Sequence, residues 1–138
     1  MKLIVDTCVW SLSLRRQDKA RIGSSEQQML AELREAIQNR RAAILGAIRQ
    51  EILSGIRDRA QFAKTRELLE PFLDEEVRAD DYVEAARLFN LCRNHGVQCG
   101  SVDMLLCAVA VRKHYGILTH DQGLLRCIEV LRAEGLVL

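Results

Sequence analysis

Short, continuous apolar runs alternate along this chain with longer stretches of helical periodicity. Leu3-Ile4-Val5 is apolar throughout and β-branched at Ile4 and Val5, the pattern of a strand buried on both faces. After Ser24, Met29, Leu30, Leu33 and Ile37 recur at helical spacing as far as Asn39. Ala42-Ala43-Ile44-Leu45 repeats the buried-strand pattern and is closed by Gly46. Ile48, Ile52, Leu53 and Ile56 make the next segment an amphipathic helix, and another helix is expected from Ala60 to Leu69, ahead of Pro71. Asp80 or Asp81 is placed to cap a helix running through Leu91, with Gly96 beyond its end. Val102 to Val111 is almost wholly apolar, which predicts a helix buried on most sides. Gly116 stops it, and Ile117-Leu118 reads as a third strand. Leu124, Leu125, Ile128 and Leu131 mark a last helix, and Gly135 precedes an expected final strand, Leu136-Val137-Leu138.

Buried strands alternating with helices predict an α/β domain, its parallel sheet covered by helices on both faces. In such sheets ligands gather beyond the carboxyl ends of the strands. Chemistry is therefore sought in the residues that follow each strand.

Composition narrows the picture. The chain has 138 residues, enough for one domain with its own core, and 49% hydrophobic and 28% charged residues are ordinary for a globular protein. No apolar run is long enough to span a bilayer, and the polar turn at Asp6 comes too early for a secretory leader, so a cytosolic protein is expected. Five cysteines (Cys8, Cys92, Cys99, Cys107, Cys127) contain no close CxxC pair and leave one over. That suggests neither a disulfide frame nor a zinc site, and all five are expected to be reduced structural thiols. Net charge is only +1, but residues 1–69 carry 13 Lys/Arg against 8 Asp/Glu, while residues 70–138 carry 7 against 11. The arginine-rich first half hints at a polyanionic partner, although solvated helix faces produce similar counts.

Four acids stand out by position. Asp6 follows the first strand directly, and Asp121 lies just past the third. Glu51 borders the apolar stripe of its helix, and Asp103 is the only charge between Ser101 and Val111. Each has a plain structural alternative. Asp6 and Asp121 can cap the helices that follow them, Asp103 can complement a helix dipole, and Glu51 can pair with Arg49 or Arg57. Taken together they suggest more, because converging carboxylates repel one another unless a hard divalent cation neutralises them. Such a cluster suits metal-assisted phosphodiester hydrolysis.

Four segments resemble the motifs of the PIN-domain family, in the family's order and at its approximate spacing. They are Leu3-Ile4-Val5-Asp6-Thr7, Ile48-Arg49-Gln50-Glu51-Ile52-Leu53-Ser54-Gly55, Ser101-Val102-Asp103-Met104-Leu105-Leu106-Cys107-Ala108 and Leu118-Thr119-His120-Asp121-Gln122-Gly123-Leu124. Within the family the chain looks most like the toxin halves of VapBC-type toxin–antitoxin pairs. The resemblance implies a three-layer α/β/α PIN domain over residues 1–138 with a short, mostly parallel sheet. It implies an endoribonuclease whose Asp6, Glu51, Asp103 and Asp121 bind Mg²⁺ or Mn²⁺, supported by Thr7, Ser101 and Thr119. It also implies a VapB-like antitoxin and a homodimer. One departure is Gly123, where many relatives carry another acid.

Arg15, Arg16, Lys19 and Arg21 cluster in an expected loop and are candidates to grip the RNA backbone. Trp10 is expected in the core, with base stacking as the alternative. His120 adjoins Asp121 but reads as a bystander, and Asp74-Glu75-Glu76 as a solvated turn. Two other classes compete. An aspartyl-nucleophile phosphohydrolase usually wants an aspartate where this chain has Cys8. The other is a non-catalytic PIN-like or receiver-like interaction domain holding a structural cation, although a receiver domain has no evident need for Glu51 and Asp103.

Overall fold

The computed structural model describes residues 1–14 and 23–138. Its sheet has three parallel strands, β1 (Leu3–Val5), β2 (Ala42–Ala43) and β3 (Gly116–Leu118), in the order β2-β1-β3. Leu3 pairs with Ala42 on one side and Gly116 on the other, so β1 is central, and its Ile4 and Val5 are completely buried. A Cβ at Gly116 would stand 2.7 Å from Leu3 Cδ2, so the leucine side chain fills the space that the glycine leaves.

Seven helices accompany the sheet among the described residues: α1 (Thr7–Leu14), α2 (Ser24–Gln38), α3 (Gly46–Ser54), α4 (Arg59–Leu69), α5 (Ala79–Asn94), α6 (Ser101–Lys113) and α7 (Gln122–Ala133). The closest helix packing falls into two groups, α1 to α4 and α5 to α7, with α5 against α6 the most extensive pair. The apolar run of α6 behaves as its composition requires, for every residue from Met104 to Ala110 is buried. Trp10 lies in the same core, 2% exposed, and meets the Phe72 ring edge-on at 4.9 Å. Among the described residues its indole N–H has no hydrogen-bond partner.

Several expectations need correction. The segment 42–45 is a strand only over Ala42–Ala43, after which Ile44 makes an isolated bridge to Asp74. Leu136-Val137-Leu138 is not a strand. Gly135, at φ +94°, turns the chain back after α7, and Leu136 N–H bonds the Leu131 carbonyl.

Neither Asp80 nor Asp81 is the cap residue of α5. Arg78 holds that position, and Asp81, in the first turn, accepts the Arg78 N–H at 2.8 Å. The rest of the Asp81 carboxylate takes both arms of Arg112, at 2.7 Å each. Glu75 is not solvated either: at 12% side-chain exposure it pairs with Lys113 at 2.8 Å and Lys2 at 3.6 Å. The thiols are not all free. Cys99 and Cys127 form a disulfide, leaving Cys8, Cys92 and Cys107 as thiols. The sequence spacing of 28 residues hid this pair, because α6 and β3 lie between its halves.

Candidate active site

All four predicted acids line one cavity of about 530 Å³ beyond the carboxyl ends of the strands, together with Thr7, Cys8, Ser11, Gly100, Ser101 and Val102. Asp6 reaches it because it terminates the central strand, its N–H still bonded to the Leu118 carbonyl of β3. The side chain is 5% exposed and fully engaged. One oxygen accepts the Thr7 N–H at 2.8 Å, and the other accepts the Thr119 hydroxyl at 2.8 Å and the Cys8 thiol at 3.6 Å. Thr119 in turn accepts the Asp121 N–H at 3.1 Å, so one buried hydroxyl links the two post-strand acids.

Glu51 arrives on the second turn of α3, and its Oε1 accepts the Thr7 hydroxyl at 2.9 Å. The alternative pairing with Arg49 does not occur. Arg49 instead bonds Asp74 at 2.9 Å and the Leu69 carbonyl at 3.0 Å, and it also reaches the Phe72 carbonyl. Asp103 stands in the first turn of α6, where Gly100 N–H approaches one oxygen at 3.3 Å. A Cβ on Gly100 would sit 3.1 Å from that same oxygen, so the glycine permits the close approach. Asp121 caps α7 by accepting the Gly123 N–H at 2.8 Å through Oδ1. The capping role foreseen for Asp121 is thus present, whereas Asp6 accepts only the N–H of the next residue, Thr7, at the start of α1.

Electrostatics sets this group apart from a capping set. Burial first, then the charges of Asp6, Asp121 and Glu51, raise the Asp103 carboxyl to about 6, against a smaller opposing pull from the Gly100 N–H. Burial likewise pushes the Cys8 thiol up, keeping it a protonated donor beside Asp6. Oxygen donors carrying excess negative charge suit a hard divalent ion. Among the described residues, three metal-ligating atoms lie within 4.8 Å of one another only in a cysteine trio elsewhere.

Ser101 lines the cavity, as expected of a supporting residue, and is exposed. His120 is exposed and does not line it. Arg15, Arg16, Lys19 and Arg21 lie outside the described residues. Sequence reasoning passed over Cys8 and Ser11. A signal for Ser11 existed, since it follows Thr7 by one helical turn and so shares its face. Cys8 carried none, because its role comes from contact with a residue 111 positions away.

No family model matches the chain, and no curated protein matches it. Among solved structures it is similar to "Crystal Structure of FitAcB from Neisseria gonorrhoeae", with a TM-score of 0.65 over 92% of this chain and 93% of that one, at 18% identity. The fold is a PIN-like three-layer α/β/α fold. At that identity the likeness is one of architecture, and in this PIN-like frame the site rests on the chain's own residues.

Proposed function

We propose that the chain is a metal-dependent endoribonuclease acting as the toxin of a toxin–antitoxin pair. One observation carries this reading: four acids from four separate segments meet at the carboxyl edge of the sheet, in a cavity where Asp103 is raised to about 6. The resemblance of those four segments to PIN-domain motifs and the PIN-like fold support it. Mg²⁺ or Mn²⁺ held by Asp6, Asp103, Glu51 and Asp121 would supply an acidified water and neutralise phosphate charge.

The chain's own residues prepare the place. Thr119 and the Thr7 N–H fix both oxygens of Asp6, so the most buried carboxylate has one orientation. The Thr7 hydroxyl orients Glu51 through its hydrogen bond to Oε1. Asp121 spends Oδ1 on its helix cap and turns its second oxygen to ligand or solvent. Hydrogen bonds behind metal ligands set the ligands' basicity and geometry and are worth roughly 10–100-fold in metal affinity or activity. Residues 1–138 act in this reading as one PIN domain in the cytoplasm, with a VapB-like antitoxin over the acidic groove and a second copy in a homodimer. Arg15, Arg16, Lys19 and Arg21 grip the RNA backbone.

The test is cleavage of a total RNA pool by purified protein with Mg²⁺ or Mn²⁺, with EDTA, and with Asp6→Asn. Discrete cuts that need metal and vanish in the variant are expected. Folded protein that binds the metal and leaves RNA intact would replace this reading with a non-catalytic, cation-holding domain.

A further inference from the structure

Three sulfurs converge on the side of the molecule built by α5, α6 and α7. Cys92 comes from the last turns of α5, Cys99 from the residue before the Gly100 cap of α6, and Cys127 from the middle of α7. Their Sγ atoms all lie within 4.8 Å of one another. Cys92 and Cys127 are completely buried, and Cys99 is half-buried. Two of the three are bonded as the Cys99–Cys127 disulfide. A disulfide needs only two sulfurs, yet the third sits against it, its thiol directed at the Cys127 carbonyl at 3.8 Å.

We propose that in the reduced protein Cys92, Cys99 and Cys127 form a three-thiolate site for Zn²⁺, an alternative to the Cys99–Cys127 disulfide. Zinc–sulfur bonds of about 2.3 Å place tetrahedral ligand sulfurs roughly 3.8 Å apart. The unbonded pairs lie within 4.8 Å, and side-chain rotation parts the third pair once its bond is broken. Soft thiolates select zinc over the hard ions suited to the carboxylate cavity. Zn²⁺ on three thiolates leaves one net negative charge, less than a monovalent ion would leave in the same buried place. The half-buried Cys99 side admits a water as the fourth ligand.

The chemistry balances. A dithiol reductant gives two electrons and two protons to the Cys99–Cys127 bond and becomes a disulfide itself. Zn²⁺ then displaces three thiol protons to solvent. Burial raises the Cys92 thiol, so without metal it stays protonated. Either occupant ties the loop before α6 to α7, next to the Gly100 N–H that meets Asp103. The proposal does not depend on the nuclease reading.

The full chain, reduced with a phosphine and desalted without oxygen, is titrated with Co²⁺ and then Zn²⁺. A thiolate-to-cobalt charge-transfer band saturating at one ion per chain is expected, bleached by Zn²⁺. In the carboxylate cavity only Cys8 could give such a band, so its persistence in Asp6→Asn and Cys8→Ser assigns it to the three-cysteine site. Affinity should fall at least tenfold in Cys92→Ser and Cys127→Ser. Cys99→Ser, at the least buried position, should behave alike if the other two variants fail to fold. Wild-type protein oxidised to the disulfide should lack the band and regain it on reduction. No thiolate band in folded, reduced wild type, or a band undiminished in folded Cys92→Ser or Cys99→Ser, overturns the proposal.

Discussion

The Thr119 hydroxyl donates a 2.8 Å hydrogen bond to Asp6 Oδ2 across 113 residues of chain. The pair exists because β3 lies parallel beside β1, so the residues that follow each strand emerge side by side. Thr119 is itself buried, 7% exposed, so the bond is shielded from competing water. Thr119→Val keeps the shape and removes the donor. It should lower metal-dependent RNA cleavage and Mg²⁺ affinity by roughly 10–100-fold, and Thr119→Ser should restore most of both. Equal activity of the valine variant, measured as kcat/KM beside a metal titration, would show that Asp6 needs no such positioning.

Asp103 makes the metal-free protein pH-sensitive. Its folded value of about 6 exceeds the ordinary 3.8, so between those limits the folded chain holds a proton that the unfolded chain releases. Stability therefore declines as pH rises through that window. Asp103→Asn should remove the decline. In EDTA near neutral pH the variant should be more stable by ~1 kcal/mol, after allowing for solvent screening of a half-exposed carboxylate, a shift of a few degrees in Tm. Below the ordinary carboxylate range the two proteins should melt together. Added Mg²⁺ should stabilise wild type alone.

Arg112 and Asp81 behave in the opposite sense. The two-armed Arg112 contact holds the Asp81 carboxyl below its usual range, against the desolvation that opposes it. The stability it contributes is present above 3.8 and is lost as pH falls through the lowered value. Arg112→Ala leaves a carboxylate of 3% side-chain exposure unpaired, at a cost of about 3–5 kcal/mol in urea denaturation at neutral pH. Arg112→Met with Asp81→Leu, which removes both charges, should cost much less than either single change.

Trp10, the chain's only tryptophan, reports on the core rather than on substrate. Its emission should be blue-shifted, resist acrylamide and not change when RNA is added. Trp10→Ala should cost roughly 3–5 kcal/mol through the cavity it opens. Trp10→Phe should cost clearly less, because it also removes an indole N–H that has no partner among the described residues.

The alternation of buried strands and amphipathic helices was legible in the sequence because each element's period reports which of its own faces is buried. Leu3–Val5, the run through α6 and the stripe of α7 were all readable on that basis. Acids at the ends of buried strands, Asp6 and Asp121, were legible for the same local reason. Where a partner lies far along the chain, periodicity is silent, and only the tertiary structure decided. It put β1 between β2 and β3, and so brought Thr119 to Asp6 and Cys8. It gave Asp81 rather than Asp80 to Arg112, and drew Glu75 in between Lys2 and Lys113. It also joined Cys99 to Cys127 with Cys92 alongside. The physical reason is common to all of them: burial is written into each segment's own pattern, whereas the choice of partner for a buried polar group depends on which segments the packing of the core makes neighbours.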